Sequence, residues 1–145
     1  MAEALFDETR LLFHALKEWA EAVHSDVRVT VSVRAVLEIL LLRGATSVPE
    51  MARARLVSRQ HIQQQIDALV EQKLVKREPN PAHKRSRLIT LTDSGRALIQ
   101  NMRAEELGAL TRLQTGVSDN AVRNATQVLA AWKDALTTDA QRRKQ

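Results

Sequence analysis

Apolar positions recur at helical spacing through most of this chain. Leu5, Leu12, Leu16, Trp19 and Val23 share one helix face, and Phe6 and Phe13 form a second strip beside it. A helix is therefore predicted over about 4–24, with an apolar arc wider than one core contact needs. Val33, Val36, Leu37, Leu40 and Leu41 repeat the pattern, and Arg43 with Gly44 supplies a last-turn cation and a stop, giving a second helix over about 31–43. SVPE at 47–50 has the form of a capping box with proline in the first turn, so a short third helix should run to about Arg55. Ser58 is the next cap candidate, and Ile62, Ile66, Leu69 and Val70 predict a fourth helix to about Lys73.

The exception to helical spacing comes next. Leu74 to Arg77 and Leu88 to Leu91 read as two short strands joined by a loop with two prolines. Thr92 can then cap a fifth helix through Leu98, Ile99, Met102, Leu110 and Leu113, weakly interrupted by Gly108 and ended by Gly116. From Ser118, Val122, Ala125, Leu129, Trp132 and Leu136 form a heptad-like seam in a final helix. Helix, tight turn, helix and ribbon together describe a winged helix-turn-helix inside a mainly α chain with a small β wing. No linker divides the 145 residues, so a single domain is expected, with a lobe over about 28–92 and flanking helices over about 4–24 and 93–140.

Charge sharpens this picture. Residues 51–87 contain nine Lys and Arg against three acids, whereas the first 26 residues hold six acids and two bases. An anionic partner would meet the middle of the chain and not its start. There is no cysteine, which excludes disulfides and thiolate metal sites within the chain. The start lacks a signal-peptide pattern and no apolar run could span a bilayer, so a cytoplasmic protein without a membrane segment is expected. No nucleophile with a base, paired-carboxylate motif or phosphate-cradling loop is present, so the chain does not read as an enzyme.

The candidate chemistry lies on the fourth helix. With Ile62, Ile66 and Leu69 turned inward, an uncharged, amide-rich surface remains: Gln60, Gln63, Gln64 and Gln65 with His61. Docked helix-turn-helix domains present the N-terminal part of this helix to base edges, so Ser58, Arg59, Gln60, His61, Gln63 and Gln64 are the candidate readers. A glutamine amide carries a donor and an acceptor together, matching adenine N6 and N7. Glutamines are also ordinary helix formers on a wet face; the capped helix before them and the basic ribbon after them favour recognition. Lys84, Arg85 and Arg87 at the ribbon tip suit an arm in the narrow minor groove, with Arg85 as the inserted side chain. His14 and Glu18 are four apart on the first helix, but no other histidine has ligand spacing, so no metal or other cofactor is expected.

The SVPEMARA helix, the VSRQHIQQQIDALVEQKLV recognition helix, the NPAHKRSRLITLT wing and the TDSGRAL helix start together resemble the multiple antibiotic resistance regulator (MarR) family over nearly the whole chain. The resemblance implies N- and C-terminal dimerisation helices and a homodimeric transcriptional regulator, usually a repressor. Such a dimer binds a pseudo-palindromic operator in double-stranded DNA and often releases it to a small, frequently phenolic effector. A crevice beside the dimer helices could recruit His14 or Trp19 to an aromatic effector. One residue departs from the family: its wing commonly carries an acid two residues before the inserted arginine, where this chain has His83. Two other functions use the same scaffold, a winged-helix module for protein contacts and a non-specific DNA-binding protein.

Overall fold

The computed structural model describes residues 2–24, 29–113 and 115–143. They fall into two compact units divided between Thr111 and Arg112. Residue 28, where the lobe is expected to begin, lies outside the described residues.

In the first unit, α1 spans Ala2–Val23, α2 Val31–Arg43, α3 Val48–Arg55, α4 Arg59–Glu71 and α5 Asp93–Thr111. Strands β1 (Thr46–Ser47), β2 (Val75–Glu78) and β3 (Leu88–Leu91) form an antiparallel sheet in the order β1-β3-β2. The expected two-stranded ribbon is therefore a three-stranded sheet. Thr46 opposes Ile89 and Ser47 opposes Leu88, so the stretch before α3 is anchored edge-on to the wing. A strand of two residues has no room for an alternating pattern, which is why β1 left no mark on the hydrophobic periodicity.

The core lies where α2, α3, α4, the sheet and α5 converge. Val36, Leu37 and Leu40 of α2 meet Met51, Ile62, Ile66, Leu69, Val75, Ile89 and Ile99, all buried. Ile62, Ile66 and Leu69 have no accessible surface, and each buried side chain of that size contributes about 1.5–3 kcal/mol.

Local backbone geometry sets the helix-turn-helix. Ser58 caps α4, its hydroxyl accepting from the His61 N–H at 3.1 Å. The three-residue turn before it begins at Leu56, a non-glycine residue in the left-handed region at φ 56°. The Val57 N–H there donates to the Ala52 carbonyl at 3.1 Å, closing a Schellman-type end on α3. Lys73 repeats the device after α4 at φ 58°, with Leu74 N–H donating to Leu69 O at 2.9 Å. A left-handed conformation costs an L-residue about 1–2 kcal/mol, and these closing bonds offset it.

Thr92 joins α5 to the segment that follows α4. Its hydroxyl accepts from Gly95 N–H at 3.0 Å and donates to the Lys73 carbonyl at 2.8 Å, while its own N–H reaches Leu74 O at 3.1 Å. The approach is so close that a Cβ on Gly95 would sit 1.9 Å from Leu74 O. The helix then runs unbroken through Gly108, contrary to the expected interruption, and stops at Thr111, so Leu113 lies beyond it. A single glycine costs a helix only about 1 kcal/mol, which neighbouring turns absorb.

The N-terminal arm meets the lobe through a cluster of polar side chains. His24, 6% exposed, brings Nε2 to 2.8 Å from Glu106 Oε1, and Glu105 lies 3.3 Å from Nδ1, off the line of a hydrogen bond. The other Glu106 oxygen accepts from Arg34, which also donates to Glu38 at 2.9 Å, and Arg103 reaches Glu38 at 3.4 Å. The rest of α1 buries little: Leu11, Leu12, Phe13 and Leu16 are each at least half exposed.

In the second unit, α6 spans Asp119–Arg142, with Ser118 accepting from Ala121 N–H at 3.3 Å. It has no buried residue, and Val122, Leu129 and Leu136 of its seam are exposed. Among the described residues no helix is long and apolar enough to cross a membrane.

Gly95→Ala is expected to destabilise the protein by about 3 kcal/mol or more, because the new methyl meets backbone that cannot move without breaking the Thr92 bonds. The urea midpoint of the purified variant against the parent chain measures this.

Candidate nucleic-acid interface

The readers expected on α4 are determined by what the helix buries. Ile62, Ile66 and Leu69 face the core, and Arg59, Gln60, His61, Gln63 and Gln64 are left exposed with the capping Ser58. Gln65 is the exception and a correction: it is 7% exposed and faces inward, not out with the other amides. On a wheel it lies about 60° from Ile62, close enough to be covered by α3. Its side chain bonds Arg55 and His61. A glutamine run carries no signal that one member is turned inward.

Two further contacts organise this surface. Gln63 Nε2 donates to Asp67 Oδ1 at 2.8 Å, and the same oxygen accepts from Arg77 of β2. Asp67 is thereby neutralised, and α4 and the wing are tied side to side. Sequence spacing alone gave no reason to pair residues 67 and 77. Arg55 of α3, pushed below its ordinary pKa by burial, donates to the Ser32 carbonyl at 3.0 Å and to Gln65 at 3.3 Å.

The wing is stiffened by its own turns. Asn80 Oδ1 accepts from Ala82 N–H at 3.0 Å, His83 N–H donates to Asn80 O at 3.2 Å, and Ser86 N–H to His83 O at 2.9 Å. Prolines at 79 and 81 bracket that asparagine and restrict the backbone further. Lys84, Arg85 and Arg87 are exposed at its tip.

An open groove runs between the start of α3, the start of α4 and the wing. Arg53, Arg59, Arg85 and Arg87 line it, with Glu50 as its acid and Gln60 and Gln63 on its helix side. Neither these four arginines nor Lys84 forms an ion pair with another described residue, whereas Lys76 is held by Glu78 and Arg77 by Asp67. Among the described residues no acid pairs with Arg85, and His83 stands at the position where one was expected. Glu50 is committed elsewhere: its carboxylate accepts from the Ser47 N–H at 2.8 Å and the Ser47 hydroxyl at 2.5 Å. Those two bonds, aided by Arg53 and His83, hold its pKa below the ordinary 4.5 despite an opposing effect of burial.

The two α1 candidates are not brought together. His14 is exposed, its ring edge-on to Phe13 at 5.8 Å, and Trp19, half-buried, lies about 140° further round the helix. Among the described residues no three His, Asp or Glu side chains are placed to share a metal ion.

Residues 29–86 match the family model for the MarR family. Over that segment the chain is similar to the MarR family, and the solved structures extend the likeness of fold to most of its length. No curated protein matches it, but solved structures do. A MarR family transcription regulator is 28% identical, over 97% of this chain and 93% of that one, with a TM-score of 0.82. A mutant MarR from E. coli complexed with operator DNA is 20% identical, over 88% of this chain and 92% of that one, with a TM-score of 0.78. BpsR of Bordetella bronchiseptica, whose DNA binding is regulated by 6-hydroxynicotinic acid, is 23% identical over 88% and 91%, with a TM-score of 0.76. At those identities the last two show the shared fold.

Glu50 is the lobe's acid-sensitive cap. Because its folded pKa is lowered, it stabilises α3 above the ordinary carboxylate value, and that contribution disappears as pH falls through the folded pKa. Glu50→Gln is expected to cost under about 1 kcal/mol at neutral pH, the size of an exposed cap, and to flatten the acid limb of stability. Denaturant titrations at pH 7 and pH 3 read both effects.

Proposed function

We propose that this protein is a MarR-type regulator, a homodimeric, sequence-specific transcriptional regulator that represses from a pseudo-palindromic operator. The observation that carries this reading is the pairing of a capped α4, exposed at Arg59, Gln60, His61, Gln63 and Gln64, with a wing whose Lys84, Arg85 and Arg87 have no acidic partner among the described residues. Amides and an imidazole suit base edges, and free guanidiniums suit phosphate and the minor groove. Ser58 orients the helix start, where the backbone N–H groups also favour an anion.

Apolar surface left exposed on α1 and α6 supports the dimer. Leu12, Phe13 and Leu16 on one helix and Val122, Leu129 and Leu136 on the other are the residues a second copy would cover. In such a dimer the recognition helices would stand about 34 Å apart to enter successive major grooves. For release, a small aromatic effector is the ligand class we assign. Trp19 is the better placed of the two α1 candidates, since it adjoins the buried Ala20 where the arm meets the lobe; His14 points to another face. The site of action is the cytoplasm.

Sedimentation at micromolar concentration should give a dimer, and Leu16→Asp should shift it towards monomer. A monomeric parent protein would instead favour a winged-helix module for a different protein partner. Against DNA, affinity is expected to fall steeply with salt. Arg85→Ala should weaken specific and random duplexes alike, while Gln64→Ala should change base preference. Equal losses on both duplexes for Gln64→Ala would remove it from the readers.

A further inference from the structure

Gln65 is an amide in an apolar setting, and its two hydrogen bonds determine more than its own position. Arg55 Nη1 lies 3.3 Å from Gln65 Oε1 and 3.0 Å from the Ser32 carbonyl. A guanidinium only donates, so the atom facing it must be the amide oxygen. The other end of the amide is then the NH2, which lies 2.9 Å from His61 Nε2. An NH2 group only donates, so His61 Nε2 must accept and carries no proton. The imidazole is therefore neutral, with its single hydrogen on Nδ1. That N–H bonds no other described residue, and His61 is exposed in the first turn of α4, its backbone N–H held by the Ser58 cap.

We propose that His61 is a base reader of fixed hydrogen-bond polarity, donating Nδ1–H to a keto oxygen, guanine O6 or thymine O4, with Gln65 and Arg55 as its positioning residues. The inference rests on the reading of α4 as the DNA-contacting helix. It adds a direction: where guanine and thymine carry that keto oxygen, adenine and cytosine carry an amino group, which faces a donor with a donor and is rejected. It also explains why a polar residue is kept at a core-facing position, since its value lies in the tautomer it sets on its neighbour. Arg55, tied to α2 through the Ser32 carbonyl, stops the amide from turning over.

The experiment has two arms. In the first, nitrogen-15 NMR of the His61 ring in the free, full-length protein at pH 8 reports the tautomer directly. The Nδ1–H form is expected in the parent chain, and Gln65→Leu should release the ring to a mixture of tautomers. A parent protein with the proton on Nε2 overturns the proposal, without reference to DNA. In the second arm, selection from a randomised duplex library should give guanine or thymine at one position in each half-site. His61→Ala and Gln65→Leu should each reduce discrimination there about tenfold, leaving the remaining positions unchanged. His61→Asn, which keeps a side-chain N–H donor near Nδ1, should restore part of the preference. Unaltered discrimination in both His61→Ala and Gln65→Leu, while Gln64→Ala still alters base preference, overturns the proposal and leaves the DNA-binding reading standing. If Gln64→Ala and Arg85→Ala also have no effect on DNA, the reading of α4 itself has failed.

Discussion

The arrangement depends on one apolar stripe. Ile62, Ile66 and Leu69 are sealed against α2, and a rigid helix that hides those positions has no choice about what it shows on the opposite side. The presented row is thus a geometric by-product of core packing, and its chemistry could be tuned without disturbing the fold. The cost of exposing the stripe, several kcal/mol for the three side chains together, is what holds the helix against rolling. Ser58 and the left-handed turn at Leu56 then set where the stripe begins.

Elements that announce themselves through repetition were legible in the sequence. The spacing of Val33 to Leu41, the SVPE box and the Ser58 cap gave α2, α3 and α4 to within a residue or two, because capping and burial act on neighbours a turn apart. What escaped depends on partners distant in sequence. The two residues of β1 are a strand only because β3 runs beside them. Gln65 differs from Gln64 only in which neighbour covers it. The Asp67–Arg77 pair joins a helix to a strand, and no spacing rule connects such positions. Of the candidate interface, residue types and helix face could be read from the sequence; internal hydrogen-bond polarity could not.

Ionic contacts divide the lobe into surfaces with different tasks. Where Asp67 meets Arg77 and Glu78 meets Lys76, charge is neutralised and serves to brace the sheet. Around the groove the arginines stay uncompensated. The cluster of His24, Arg34, Glu38, Arg103, Glu105 and Glu106 does something else again: it joins α1, α2 and α5 through directional bonds where apolar packing is sparse. Removing one member would leave a partner charge poorly solvated, a larger loss than the pair's own net contribution.

Thr92 has a mechanical consequence. Through one hydroxyl it pins the start of α5 to the residue that follows the cap of α4, and Gly95 lets the two backbones touch. The helix beyond that pin has 19 residues and is about 28 Å long at 1.5 Å per residue. It is a lever with its fulcrum against the end of α4. A tilt of about 5° would carry the far end through more than 2 Å while moving the fulcrum hardly at all. Conversely, a displacement of ångströms at the distal end reaches α4 as a small, geared-down rotation, fine enough to misalign hydrogen bonds without unpacking the core.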